Sequence, residues 1–150
     1  MAETMWRFLP KPFSKAAPLL RSTMPDGQTG IDALRFLPHS CFVQKYGLED
    51  FEAAMEFQYE LTKRFTAEFC IRAFLERFPE PTYARLRDWA ADDNPHVRRL
   101  VSEGTRPRLP WAPRLRAFQH DPRPVIELLE PPPAQLVPLP LFDDLPDESG

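Results

Sequence analysis

Proline restricts the possible folds of this chain more than any other residue, because it disrupts the interior of helices and strands. The chain carries 19 prolines among 150 residues, and they cluster toward its two ends. Regular structure is therefore expected mainly in the middle. Residues 1 to 35 mix aromatic residues with Pro, Ser and Gly without a sustained period, which predicts an irregular N-terminal arm. Trp6, Phe8 and Phe13 are the candidates to dock this arm.

A proline-free stretch from Leu48 that ends at Pro79 carries apolar residues at roughly helical spacing. These apolar residues are Phe51, Met55, Phe57, Leu61, Phe65, Phe69 and Phe74. A spacing of three to four residues places them on one face of a helix. The stretch therefore predicts one long helix or two stacked helices.

Shorter helical segments follow, separated by turn residues. TYARLRDWAA at 82–91 repeats the apolar spacing, and the DDNP turn then leads into a helix that begins at Pro95 and stops at Gly104. A further helical turn is expected at 112–118, and Pro124 opens PVIELLE. Short helices of this kind indicate an all-α fold, a HEAT-like solenoid of helix pairs, although no exact repeat period is visible.

The last twenty residues cannot continue a helical array. Residues 131–150 are rich in proline and acidic side chains, which predicts a disordered tail. A solenoid normally ends in a capping helix with a polar outer face, and this tail has none, so the solenoid is expected to be incomplete. The predicted organisation is an arm at 1–35, a helical domain at 36–130 and a tail at 131–150.

Several classes of protein are disfavoured by the sequence. Cys41 and Cys70 form no CxxC pair, and His39, His96 and His120 share no ligand-like spacing, so reduced thiols and no metal are expected. There is no Gly-rich phosphate loop and no Ser or Cys nucleophile motif, and we expect no cofactor. The absence of a signal peptide or a long apolar run favours a cytoplasmic protein without a membrane association, and a monomer is the default.

Positive charge is concentrated in one part of the chain. The formal net charge is -3, yet residues 97–124 hold seven arginines against Glu103 and Asp121, a local charge of +5. Arginine is suited to bidentate phosphate contacts, and 15 of the 19 basic residues are arginine. The pattern favours a nucleic-acid backbone as partner; the alternative is a set of solvated helix faces with local ion pairs. The candidate DNA-binding residues are Arg98, Arg99, Arg106, Arg108 and Arg114.

Two prolines shape the segment that follows the predicted helix. Pro107 and Pro110 push the residues before them into extended conformations, so residues 105–111 should form a stiff, non-helical segment, called here the strap. The strap carries Arg106 and Arg108 and ends at Trp111. Its stiffness would hold both arginines in position before any partner binds.

Three further residues, Glu68, Glu103 and Trp111, are candidates for a functional site. Glu103 lies in the last turn of its helix, where a carboxylate opposes the helix dipole. It is either an exposed residue paired with an arginine or an anion that faces a cationic group. Glu68 is either half of an i,i+4 ion pair with Arg72 or part of a site. Trp111 is either a core residue or a contact for a ligand.

Two stretches of the sequence together resemble a known family. LTKRFTAEFCIRAFL at 61–75 and WAADDNPHVRRLVSEGTRPRLPWAPRLRAFQHDPRPVIELLE at 89–130 resemble the bacterial DNA alkylation repair family of HEAT-like-repeat glycosylases, in the branch called AlkC. The SEGTRPRLPW string is the most specific part. The resemblance covers about residues 36 to 130.

This resemblance implies a helical solenoid with a concave basic face. It also implies hydrolysis of the N-glycosidic bond of cationic alkylated bases, of the 3-methyladenine type, in duplex DNA, which leaves an abasic site. The family's lesion-site residues correspond to Glu68, Glu103 and Trp111, which are the candidate catalytic residues, and the surrounding arginines would follow the DNA backbone.

The family pattern continues beyond the position of Glu130 into further helical repeats, with a string like VRRSVANNLND whose aspartate belongs to the catalytic group. This sequence has PPPAQLVPLPLF instead, which indicates a frameshift or truncation. Three hypotheses stay open: a glycosylase, active or inactive in this shortened chain; a non-enzymatic HEAT-like DNA-binding module; and a protein-interaction scaffold.

Overall fold

Helices dominate the fold, a computed structural model that describes residues 1–26 and 30–130. In chain order the α-helices are α1 (Ala2–Phe8), α2 (Phe13–Ser22), α3 (Leu37–Tyr46), α4 (Phe51–Thr62), α5 (Glu68–Arg77), α6 (Pro79–Ala90), α7 (Pro95–Gly104), α8 (Arg116–His120) and α9 (Arg123–Leu129). Two 3₁₀ helices, Gly30–Phe36 and Gly47–Glu49, flank α3. These residues include no β-strand, which confirms the all-α class. The predictions for the tail at 131–150 lie outside the described residues.

The proline-free stretch forms two helices, α4 and α5, rather than one. The last turn of α4 closes on the carbonyl of Leu61, which accepts from the backbone N–H groups of Arg64 and Phe65. α5 then begins at Glu68, whose backbone N–H donates to the hydroxyl of Thr66 at 3.4 Å. A short connection at 63–67 thus separates two helices whose apolar faces share one core.

Helix α7 begins at Pro95, as predicted, whereas α6 begins at Pro79, three residues before the predicted segment at 82–91. Pro79 and Pro95 lie in the first turns of α6 and α7, where a missing N–H costs no helical hydrogen bond. The side chain of Asn94 caps α7 by accepting from the N–H of His96 at 2.9 Å. The predicted turn at 112–118 is helical only from Arg116 onward.

The N-terminal residues are not an irregular arm, and that prediction is wrong for α1 and α2. Phe13, Ala16, Ala17 and Leu20 are all buried, and their spacing forms a helical stripe on α2. Pro18 lies inside α2 on its exposed side, so its helix-breaking tendency is outweighed by burial of the opposite face. The N-terminal segment is therefore part of the core.

Two of the three predicted docking aromatics do anchor this segment. Trp6 stacks on Tyr46 of α3 with ring centroids 4.4 Å apart, and Phe13 packs edge-on against Phe57 of α4. Phe8, in contrast, is 85% exposed. Docking therefore depends on Trp6 and Phe13.

α5 occupies the centre of the fold, since it packs against α3, α6 and α7. Its buried apolar residues, Cys70, Ile71, Phe74 and Leu75, belong to the same core cluster as Val97, Leu100 and Val101 of α7. This packing places the first turn of α5 beside the last turn of α7. Those two turns carry Glu68 and Glu103.

Candidate functional site

A glycine sets the distance between α5 and α7 at the candidate site. A Cβ placed on Gly104 would lie 2.7 Å from Cγ2 of Ile71 and 3.8 Å from Cα of Glu68. Gly104 is the last residue of α7, as predicted, and Thr105 after it has an ordinary right-handed φ of -88°. Close packing, rather than a left-handed helix stop, therefore explains why this position holds glycine.

We predict that Gly104→Ala destabilises the protein by about 1 to 3 kcal/mol, the usual cost of overpacking a core. Alanine is the better helix former by about 0.5 to 1 kcal/mol, but Ile71 is buried and β-branched and cannot move aside easily. Urea unfolding followed by helical circular dichroism measures the change. Ser102→Ala, on the same helix, is the control and should leave the midpoint nearly unchanged. An unchanged midpoint for Gly104→Ala would contradict the close-packing explanation.

Glu68 is a buried carboxylate paired across helices rather than along its own helix. Its Oε1 lies 3.3 Å from Nη2 of Arg99 on α7, so the i,i+4 pair with Arg72 that the sequence allowed does not form. Burial raises the pKa of Glu68. The guanidinium of Arg99 opposes that shift, and the negative charge of Glu103 adds to it.

Glu103 is only partly exposed and pairs with an arginine of the strap. Its Oε2 lies 2.8 Å from Nη1 of Arg106, three residues later. Glu103 directly precedes Gly104, where an added Cβ would lie 3.8 Å from Cα of Glu68, and the negative charge of Glu103 contributes to the raised pKa of Glu68. Two acidic residues from separate helices therefore lie beside Gly104, each paired with a different arginine.

We predict that Glu68→Gln stabilises the protein more at about pH 7 than at about pH 4. Because the folded-state pKa is raised, the folded protein holds this proton more tightly than the unfolded chain, and stability falls as pH rises through the raised pKa. Glutamine removes that loss while keeping the shape of the side chain. Thermal unfolding at the two pH values measures the difference, with Glu76→Gln on the exposed side of α5 as control. Equal effects at both pH values would contradict the prediction.

The strap is non-helical, as predicted, and it presents Trp111 to solvent. The N–H of Ala112 donates to the carbonyl of Leu109 at 3.2 Å, which makes Pro110 and Trp111 the central residues of a tight turn. Trp111 has a φ of 62°, a conformation that normally requires glycine or asparagine. It is also 98% exposed, so the alternative of a core tryptophan is wrong. This residue combines backbone strain with no compensating burial.

A buried arginine, absent from the predicted site residues, holds the strap. Arg72 of α5 is only 1% exposed, and its guanidinium donates to the carbonyls of Gly104, Arg106 and Pro113. The Nη1 distances to Gly104 and Arg106 are 3.0 and 2.7 Å, and Nε lies 3.0 Å from the carbonyl oxygen of Pro113. The available sequence signal was weak: an arginine on the apolar side of its helix.

The predicted DNA-binding arginines fall into two groups. Arg98 donates to the carbonyls of Asp92 and Asp93, while Arg99 and Arg106 pair with the candidate carboxylates. Arg108 and Arg114 are exposed, and within residues 1–26 and 30–130 their side chains have no hydrogen-bond or ion-pair partner.

Arg116 shares this free, exposed state in the described part of the chain. Sequence reasoning counted Arg116 in the basic stretch but not among the binding residues. Within the described residues, the basic stretch thus presents three unpaired guanidinium groups to an anion.

The described residues contain no group of three or more His, Cys, Asp or Glu side chains arranged to hold a metal ion. None of the helices described is long and apolar enough to cross a bilayer. His39 is buried between Phe36 and Phe57, and its Nε2 shares a hydrogen bond with the hydroxyl of Thr23. His39 therefore has a packing role.

Comparisons with known proteins identify a similar bacterial protein and a similar solved structure. No family model matches the chain. The chain is 38% identical to YhaZ of Bacillus subtilis (strain 168), which is described as an uncharacterized protein. The aligned 127 residues cover 85% of this chain and 34% of YhaZ.

Among solved structures, the chain is similar to the Pseudomonas fluorescens alkylpurine DNA glycosylase AlkC bound to DNA containing an abasic site analog. The TM-score is 0.71 and the identity 38%, over 80% of this chain and 33% of that one. This match confirms the helical-repeat fold class. The chain spans about a third of the length of each of these two proteins.

Proposed function

We propose that this chain is an AlkC-like member of the DNA alkylation repair family and contributes to the release of alkylated bases from duplex DNA. The resemblance of the SEGTRPRLPW string supports this assignment, as does the similarity to a glycosylase whose structure contains DNA. The observation that carries the proposal is the position of Glu68 and Glu103 at the contact of α5 and α7, next to a strap that exposes a strained tryptophan.

The carboxylates suit the chemistry of a cationic leaving group. An alkylated purine already carries positive charge, so no general acid is needed, and the developing charge falls on an oxocarbenium-like sugar. A carboxylate can stabilise that charge and position or deprotonate the attacking water. Glu68 is partly desolvated, which strengthens its interaction with a nearby cation, and we assign both carboxylates to this role.

The exposed indole suits recognition of a positive charge. A cation over the face of a tryptophan gains roughly 0.5 to 2 kcal/mol, depending on desolvation. Trp111 is fully accessible to DNA, so its π face can meet the cationic base or sugar. Normal bases are neutral and would gain less from the same contact. Selection of the lesion and stabilisation of the transition state would then use the same electrostatic preference.

The arginines suit the DNA backbone. Arg108, Arg114 and Arg116 are unpaired and exposed in the described part of the chain, and Arg98, Arg99 and Arg106 lie in the same basic stretch. Each arginine that neutralises a phosphate releases condensed counterions, so DNA affinity should fall steeply as salt rises. A duplex held by these groups would be brought to Glu68, Glu103 and Trp111.

The test is release of 3-methyladenine when the full chain is incubated with methylated duplex DNA. We expect release above the background without protein, and an abasic site in the product strand. DNA binding with a steep salt dependence but no release would reject the enzyme and favour a non-enzymatic DNA-binding module. Absence of DNA binding even at low salt would reject both and favour a protein-interaction scaffold.

A further inference from the structure

Arg72 is an unusual buried cation. Its guanidinium donates to three backbone carbonyls, yet no ion pair connects it to a carboxylate among residues 1–26 and 30–130. Glu76 is the acidic neighbour that favours its charged form, from an exposed position one turn later on α5. Burying a charge without a paired opposite charge costs free energy. The presence of Arg72 therefore indicates that its hydrogen bonds to the three carbonyls have a specific role.

The three acceptors enclose the strap. Gly104 precedes the strap, Arg106 lies within it and Pro113 follows two residues after Trp111. Pro107 and Pro110 contribute no N–H, and few other backbone bonds restrain these residues. The link from the strap to α5 therefore depends strongly on one guanidinium, whose planar set of donors matches several acceptors at once.

The same helix carries a candidate catalytic carboxylate. Glu68 lies one turn before Arg72 on α5, and both side chains are buried. We propose that Arg72 is a positioning residue that fixes the indole of Trp111 relative to Glu68 by clamping the strap through the carbonyls of Gly104, Arg106 and Pro113. This inference rests on the proposed function for its catalytic consequence, whereas the clamp itself is a property of the free protein.

Substitution of Arg72 should therefore affect the chemical step more than DNA binding. Arg72→Lys keeps the charge but loses the fork of donors, and a misplacement of about 1 Å can cost on the order of 100-fold in rate. We expect single-turnover base release to fall by roughly 2-fold to 30-fold, no more than loss of the indole contact itself would cost, with affinity for undamaged duplex nearly unchanged. Arg77→Lys, on the exposed side of α5, is the matched control and should leave release unchanged.

A double substitution separates positioning from general stabilisation. If Arg72 acts through the strap, Arg72→Lys should add little to the loss already caused by Trp111→Ala. Full multiplication of the two losses would overturn the proposal. Rates are compared at a temperature where circular dichroism shows each variant folded. Arg72→Gln, which keeps amide donors without a buried charge, replaces Arg72→Lys if the lysine variant does not fold.

Limited trypsin digestion tests the clamp without DNA. The bond after Arg108 is the cleavage site within the strap, because trypsin does not cut the Arg106–Pro107 bond. We expect cleavage after Arg108 on the order of 10-fold faster in Arg72→Lys than in Arg77→Lys, since local opening becomes easier. Equal cleavage would overturn the clamp. If the unmodified chain releases no base, the proposed function fails while digestion still decides whether Arg72 holds the strap.

Discussion

Glu103→Gln is expected to lower single-turnover release of 3-methyladenine by on the order of 100-fold to 10,000-fold, the usual contribution of a positioned general base. Glutamine keeps the size of the side chain but cannot take a proton from water or oppose the positive charge on the sugar. The partner of Glu103 is Arg106 of the strap, which would be left without its anion. Affinity for undamaged DNA should rise slightly or stay unchanged, because one negative charge near the phosphates is removed.

A quantitative assay on duplex DNA with a single lesion measures this effect. Glu56→Gln removes an exposed carboxylate from α4, away from the candidate site, and should not change the rate, which controls for loss of charge alone. The Glu68→Gln variant and the double variant show whether the carboxylates act together, since residues that act as a unit give losses well below the product of the single effects. A rate for Glu103→Gln equal to that of Glu56→Gln would show that Glu103 has no part in the chemistry.

Trp111→Gly is expected to reduce base release and at the same time stabilise the protein. Loss of a cation–π contact of about 0.5 to 2 kcal/mol corresponds to a rate lower by about 2-fold to 30-fold. The indole is 98% exposed, so its removal costs no burial. A φ of 62° costs an L-residue roughly 1 to 2 kcal/mol. Glycine avoids that cost but loses about 0.5 to 1 kcal/mol in chain entropy, which leaves a net gain between zero and about 1.5 kcal/mol.

Urea unfolding and the single-turnover assay, run on the same preparations, check both halves of this prediction. Trp111→Ala should lose activity like the glycine variant but keep the strain and therefore show no gain in stability. Trp6→Phe controls for removal of an indole elsewhere in the chain, since Trp6 packs on Tyr46 of α3. A glycine variant that is both less stable and fully active would show that the strained turn has a structural role instead.

If Trp111→Gly raises stability and lowers activity, a functional role would explain why side chains that carry a free-energy cost lie in this region. The buried carboxylate of Glu68 and the buried guanidinium of Arg72 each carry a desolvation cost, and the left-handed Trp111 carries backbone strain. They lie at the contact of α5, α7 and the strap rather than being scattered over the molecule. Groups of this kind concentrate at functional sites, where strain and perturbed pKa values serve binding or catalysis.

Local residue patterns alone determined much of the helical architecture. The apolar spacing from Phe51 to Phe74 and the turn before Pro95 depend on neighbours a few residues away, and α4, α5 and α7 lie where the sequence predicts them. Helix α6 begins at Pro79, three residues before the predicted segment. The stiff strap follows equally from its two prolines. The same local reasoning failed for α2, because Pro18 obscured an apolar stripe that only its partners α3 and α4 make favourable to bury.

Only the tertiary structure decided how charged and aromatic groups are paired. The sequence allowed Glu68 to bond Arg72 along one helix, but the packing of α7 brings Arg99 to Glu68 and leaves Arg72 to the strap carbonyls. The tertiary structure also places Trp111 in solvent rather than in the core. Helical periodicity is local, whereas the choice among possible partners depends on which distant segments meet. That contact is set at Gly104, where the missing side chain lets two helices approach.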